Sequence, residues 1–189
     1  MRLRFSFLLG LLALGVTALP ATAHPGHAEG SSLALGLMHP LSGADHLLAA
    51  VAIGLWASRI EGLRAWALPG GFLLGIVGGA LLGMAGFVPG WMEPGIAASV
   101  LLLGAAAALL PRLSLPPMLA AVVVFGVLHG LAHGSEVPEA TNPLVYGLGF
   151  LAATAAVHAA ALLSARALRW LAVPGGAAIA ASGLVLLLG

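Results

Sequence analysis

From Ser32 onward the sequence falls into six apolar runs, at 32–57, 65–86, 94–110, 116–133, 143–164 and 167–188. Pro89, Pro94, Pro111, Pro116, Pro117, Pro138 and Pro143 mark most of the junctions. Each run is close to the roughly 20 residues that carry an α-helix across a bilayer at about 1.5 Å per residue. In lipid a segment has to satisfy its own backbone N–H and C=O groups, so runs of this kind fold as helices. Nor could the chain cover a water-facing surface. Hydrophobic residues make up 61% of it and charged residues 7%, against about 45–50% and about 25% in soluble domains. The expected fold is all-α: one transmembrane domain over residues 24–189, a bundle of six helices.

The first 23 residues are expected to be removed. Met1-Arg2-Leu3-Arg4 is a short basic start, an apolar run follows to Leu19, and Ala21-Thr22-Ala23 is a small-residue cleavage site. Together they read as a signal peptide over residues 1–23. Cleavage after Ala23 would leave His24-Pro25-Gly26-His27 at the mature amino terminus. Its α-amine, His24 and His27 could hold a divalent metal ion weakly. Pro25 has no N–H to deprotonate, which excludes the tight square-planar amino-terminal motif.

Arginine sets the expected orientation. Beyond the signal peptide it occurs at 59, 64, 112, 166 and 169, in the junctions between runs one and two, three and four, and five and six. The other two junctions hold Glu93, Glu136 and Glu139 instead. Positive residues stay on the cytoplasmic side. Both mature termini are therefore expected outside the bacterial inner membrane, in agreement with an exported amino terminus. The net charge is +1 and Lys is absent, so there is no basic patch to neutralise phosphates and nucleic-acid binding is excluded. With no Cys, thiolate metal sites, disulfides and Cys nucleophiles are excluded as well. The small-residue ladder Gly71, Gly75, Gly79 and Gly83 predicts close backbone packing of helices in lipid.

The chemistry lies in polar groups placed at membrane depth, which are costly there and usually functional. The seven His outnumber the six Asp and Glu. Run one contains His39-Pro40-Leu41-Ser42-Gly43-Ala44-Asp45-His46. In a regular helix His39 and His46 share a face two turns apart, although Pro40 and Gly43 can break the helix. Run four contains His129-Gly130-Leu131-Ala132-His133-Gly134-Ser135-Glu136, whose His pair lies one turn apart on one face and can bind one metal. Gly130 stands where a zincin protease has its catalytic Glu. Run five adds His158, alone among Ala and Val. Counting along straight helices puts His39, His129 and His133 within about 10 Å of the outer surface, and Asp45, His46 and His158 about 20 Å or more below it. Two layers of this kind suit an ion path. Imidazole and carboxylate without thiolate suit nickel, cobalt, zinc or copper.

With these two motifs the sequence resembles the HupE/UreJ family of nickel and cobalt permeases. The likeness rests on His39-Pro40-x-x-Gly43-x-Asp45-His46 and on His129-Gly130-x-Ala132-His133-Gly134-x-Glu136, and extends to the signal peptide, the six helices and a His at the mature amino terminus. It departs at Leu47-Leu48-Ala49-Ala50, where a Met is expected. The resemblance implies a secondary transporter taking up Ni²⁺ or Co²⁺. Its metal ligands would be His39, Asp45 and His46, with His129, His133 and Glu136 carried by the second motif. It also implies a link to hydrogenase, urease or cobalamin pathways. No tightly bound cofactor is expected; the partners are the divalent ion and the lipid bilayer. Two rival readings remain: a membrane-embedded zinc hydrolase with Asp45 or Glu136 as base, and a bis-His haem protein. The first requires its ligands to converge on one open centre, and the second requires His pairs on facing helices.

Overall fold

The computed structural model describes residues 31–109 and 113–189, without the side chain of Arg169. The expected signal peptide, His24, His27 and Arg112 lie outside those residues. All regular structure among them is helical: α1 (Ser32–Ser42), α2 (Ala44–Ala57), a 3₁₀ turn (Gly62–Trp66), α3 (Ala67–Met84), α4 (Met92–Leu109), α5 (Leu115–Ser135), α6 (Pro143–Ala167), a second 3₁₀ turn (Arg169–Leu171) and α7 (Ala172–Leu188). Four helical stretches, 62–84, α4, α5 and α6, are long and apolar enough to cross a membrane. Large apolar side chains such as Leu74, Leu81, Leu148 and Val185 are exposed on the outside, a surface suited to lipid and not to water. The protein is a multi-pass membrane protein.

The first and sixth runs differ from single straight helices. In run one, Gly43 takes an extended conformation (φ −89°, ψ 116°), and α1 and α2 meet there at a bend of 72°. Pro40 lies in the last turn of α1 and supplies no N–H to the helix. The helix therefore weakens just before Gly43 ends it. Ser42 Oγ turns back to donate to His39 O (2.7 Å). Run six begins with the 3₁₀ turn and leaves only 17 residues in α7. Leu68-Pro69-Gly70-Gly71 and Val173-Pro174-Gly175-Gly176 each open a helix directly after a 3₁₀ turn. Their likeness is thus one of local structure, with Pro in a first turn where its missing N–H costs nothing.

Glycine decides which helices pair. Along α3 and α5, a Cβ on Gly75, Gly79 or Gly83 would overlap the carbonyl oxygens of Val123, Val127 and Leu131. In return, a Cβ on Gly126, Gly130 or Gly134 would overlap those of Phe72, Ile76 and Ala80. The expected ladder is therefore a backbone-to-backbone seam, and the two helices run parallel. In the same way Gly104 and Gly183 fit α4 against an antiparallel α7, and Gly36, Gly149 and Gly54 fit the bent pair along α6. Ser32 Oγ accepts from Asn142 N at the start of α6 (2.9 Å), and Gly62 O accepts from Arg166 at its other end (2.8 Å). The bent pair and its following turn thus extend over the full length of α6. Arg166 and the loop that carries Arg59 and Arg64 lie at one end of the bundle, and Glu136 at the other.

Candidate metal centre

His39 leaves the last turn of α1, and His46 the first turn of α2. The bend between them lets both rings reach α5. There, His133 Nδ1 lies 3.0 Å from His39 Nε2, and His133 Nε2 lies 3.3 Å from His46 Nδ1. Glu136, which caps α5, brings Oε2 to 3.5 Å from His39 Nε2 and 3.8 Å from His133 Nδ1. One turn back on α5, the His129 ring is 5.9 Å from that of His46, centre to centre. Two groups of three result: His39, His133 and Glu136 at the bundle end, and His46, His129 and His133 beneath them. In each group one ligand atom per residue can be chosen so that all lie within 4.8 Å of one another. His133 belongs to both groups and turns opposite nitrogens to them.

These spacings suit a metal ion. Two ligand nitrogens, each about 2.0–2.1 Å from one ion, stand about 2.8–3.4 Å apart at right or tetrahedral angles. The groups differ in surroundings. Glu136 is about half exposed, and the His133 and His39 imidazoles beside it hold its carboxyl down at about 2. His46 and His129 are buried, and Phe72 and Phe150 wall them in. Phe72 lies 5.3 Å from the His129 ring, and Phe150 lies 5.5 Å from His46 and 4.5 Å from His133.

His158 extends the series. Thr154 Oγ1 is 3.2 Å from His46 Nε2, and one turn along α6 His158 Nδ1 donates to Thr154 O (2.9 Å). His158 is fully buried and its Nε2 has no partner among the described residues. It faces the interior, beside Phe72 (5.2 Å).

Asp45 stands apart. It is in the first turn of α2, where a carboxylate complements the helix dipole, and it joins neither group of three. It lines a cleft of about 510 Å³ together with Glu93, Pro94, Ile96 and Leu186. Glu93, read from sequence as a loop residue, is in the first turn of α4. Sequence reasoning did not single out Glu93, Phe72, Phe150, Ser99 or Thr154 as site residues. Ser99 and Thr154 are fully buried hydroxyls in otherwise apolar stretches, which is the signal that could have drawn attention to them.

One expectation needs correction. α5 packs on α3, while α1 and α2 pack on α6, and the side chains of His39, His46, His133 and Glu136 meet between the two pairs. His129 pairs with His46 and not with His39, so the two layers join at His133. The series is a file of two overlapping groups joined at His133, and Asp45 belongs to neither. The facing ring nitrogens of His39 and His133, and of His133 and His46, lie 3.0 and 3.3 Å apart, closer than two nitrogens on opposite faces of one haem iron.

The family model described as HupE / UreJ protein matches residues 12–188. Protein HupE of Rhizobium leguminosarum bv. viciae is 38% identical over 184 residues, covering 93% of this chain and 95% of the relative. No solved structure gives a significant match. With both His motifs inside the matched region, the chain belongs to the HupE/UreJ family.

Proposed function

We propose that this protein is a secondary permease that takes up Ni²⁺ or Co²⁺ through the file of imidazoles and carboxylates described above. The observation that carries the reading is the double membership of His133. An ion held at Nδ1 with His39 and Glu136 has its next ligands, His46 and His129, on the far side of the same ring. Passage is then an exchange of ligands around a shared residue, and the ion need not be released into an apolar interior. Nitrogen and carboxylate donors without sulfur match borderline divalent ions. The outer group, with its carboxylate and its exposure, is the capture site. His46, His129 and His133 form the transfer site, and His158 stands at its inner edge.

The bent pair is read as one complete crossing, because it accompanies α6 from end to end. With α3, α4, α5, α6 and α7 it makes six spans after a signal peptide cleaved at Ala23. A break at Gly43 is tolerated because it lines a polar interior. Arg59, Arg64 and Arg166 mark the cytoplasmic end, which puts Glu136 and the mature amino terminus on the periplasmic side of the inner membrane. His24 is assigned to first capture there. Asp45 and Glu93 supply negative charge beside the entrance. An inward-negative potential favours entry of a dication by about 4.6 kcal/mol per 100 mV, so no nucleotide is needed. The imported metal would serve hydrogenase, urease or cobalamin synthesis.

The test is uptake of radiolabelled nickel and cobalt, each in competition with the other, by cells that express the protein. Saturable accumulation dependent on the protein supports the reading. Accumulation equal to that of cells without the protein, for both ions, overturns it.

A further inference from the structure

A His can ligate a metal only through a ring nitrogen that carries a lone pair, and the tautomer is set by what the other nitrogen bonds. In His129, Nε2 lies 2.9 Å from Ser99 Oγ. Nδ1 is buried without a partner among the described residues. Ser99 is fully buried on α4, and its hydroxyl is 2.7 Å from Ile96 O, one turn back on the same helix.

A serine hydroxyl has one proton to donate, and a carbonyl oxygen can only accept. The Ser99 proton is therefore committed to Ile96 O. Towards His129 the Ser99 oxygen can only accept, so the proton between them belongs to the imidazole. Nε2 of His129 is protonated and Nδ1 carries the lone pair. The opposite tautomer would set two lone pairs against each other at 2.9 Å in a dry interior, or force Ser99 to abandon Ile96 O. His158 shows the same device made from backbone: Thr154 O accepts from its Nδ1 (2.9 Å) and leaves the lone pair on Nε2.

We propose that Ser99 is a positioning residue for the transfer site, one that holds His129 in the tautomer whose Nδ1 is ready to take the metal. The proposal rests on the reading of His46, His129 and His133 as a metal site. It brings α4, which contributes no imidazole, into the chemistry. It also gives a reason for a hydroxyl at Ser99 other than helix packing.

The test uses the full-length protein in detergent or nanodiscs, with ¹⁵N-labelled histidine and Co²⁺ or Ni²⁺ as probe. In metal-free wild type, long-range ¹H–¹⁵N correlation should show His129 protonated at Nε2. A wild-type ring protonated at Nδ1 overturns the proposal without any variant. Ser99→Ala should shift His129 towards the other tautomer and weaken metal binding at the inner group, read from the Co²⁺-induced shifts of the His46 ring, by about 10–100-fold, the usual loss when the partner of a ligating His is removed. Ser99→Thr keeps the hydroxyl and should retain both the Nε2–H signal and near wild-type affinity. A purely structural role for Ser99 would change thermal stability and leave tautomer and affinity alone, and that result overturns the proposal. His129→Ala separates the two levels. If the Co²⁺-induced shifts of the His46 ring in His129→Ala match those of wild type, the transfer-site reading itself fails. If His129→Ala loses those shifts while Ser99→Ala keeps both them and the tautomer, only the role of Ser99 fails.

Discussion

The two groups that share His133 are built from different materials. The outer one contains a carboxylate and is open to its surroundings, with side-chain exposures of 28% for His39 and 52% for Glu136. The inner one is made of imidazoles alone, and His46 and His129 are 0% and 1% exposed. A dication arriving at the outer group keeps part of its hydration and meets a negative charge. At the inner group it gives up water and gains no countercharge from a ligand. The outer group is therefore suited to capture and the inner one to brief occupancy. A conducting path needs both properties, since a site that binds too well does not release. The difference also explains why the shared residue is a His: a neutral ligand can change sides without carrying charge through the interior.

The largest expected effect comes from the residue common to both groups. His133→Ala removes a ligand from each and breaks the link between them. Uptake of labelled nickel should fall by more than the about 10–100-fold that loss of an outer-shell partner costs, with protein still present in the membrane. Uptake by a well-expressed His133→Ala variant at the wild-type rate would break the comparison altogether. Next in size, Glu136→Gln and His46→Ala should part company. Glu136→Gln keeps shape and removes charge, so it should raise the apparent KM about tenfold and largely spare the maximal rate. His46→Ala should lower the maximal rate. Both expectations follow from assigning capture to one group and transfer to the other. If the two variants shift the same kinetic constant, the distinction between the groups is lost.

The membrane character and the helices were legible in the sequence because they follow from length and the absence of charge, which local reading captures well. The packing seam along Gly75, Gly79 and Gly83 was legible for the same reason: small residues every fourth position make a flat face. The file of ligands was only half legible. His39 and His46 were expected on one face of a straight helix, about 10 Å apart in depth. The 72° bend at Gly43 removes that spacing and brings both rings to His133. Pro40 and Gly43 announced a break, but no local rule gives the angle. Asp45 precedes His46 by one residue, and neighbours on a helix point about 100° apart. Adjacency in sequence therefore sent Asp45 to a cleft with Glu93 and His46 to the interior. Ser99 was hidden because a lone Ser in an apolar helix ordinarily bonds only its own backbone. Its second partner, His129, is 30 positions away.

A smaller effect should come from the seam. Gly79→Ala places a methyl against Val127 O, which belongs to the backbone of α5 and cannot rotate away. Separating α3 from α5 would also move Phe72 away from the His129 ring. A loss of about 1–3 kcal/mol is expected from such overpacking, read as a lower thermal midpoint in detergent, with impaired uptake following from it. Gly78 has open space around the same atom, so Gly78→Ala on the lipid-facing side is the matched control. Equal midpoints for the two variants would mean that the seam does not set the position of the ligands.

The smallest expected effect sharpens the inner group. Thr154 serves two histidines through different atoms: its side-chain oxygen meets His46 Nε2 at 3.2 Å, and its backbone oxygen accepts from His158 Nδ1 at 2.9 Å. Thr154→Val removes the first contact and preserves the second, with almost no change in shape. His46 then has a buried ring nitrogen without a partner, a cost of about 1–3 kcal/mol, but its other nitrogen still faces His133. The metal can recover part of that cost by ordering the ring. Uptake should therefore fall by no more than about tenfold, the lower edge of the range for partners of ligating residues, and the fall should appear in the maximal rate, as for His46→Ala. Thr154→Ser restores a hydroxyl at the same position and should recover most of the rate. If Thr154→Val instead raises the apparent KM with the maximal rate intact, His46 is acting in capture, and the boundary between the two groups has to be drawn on its inner side.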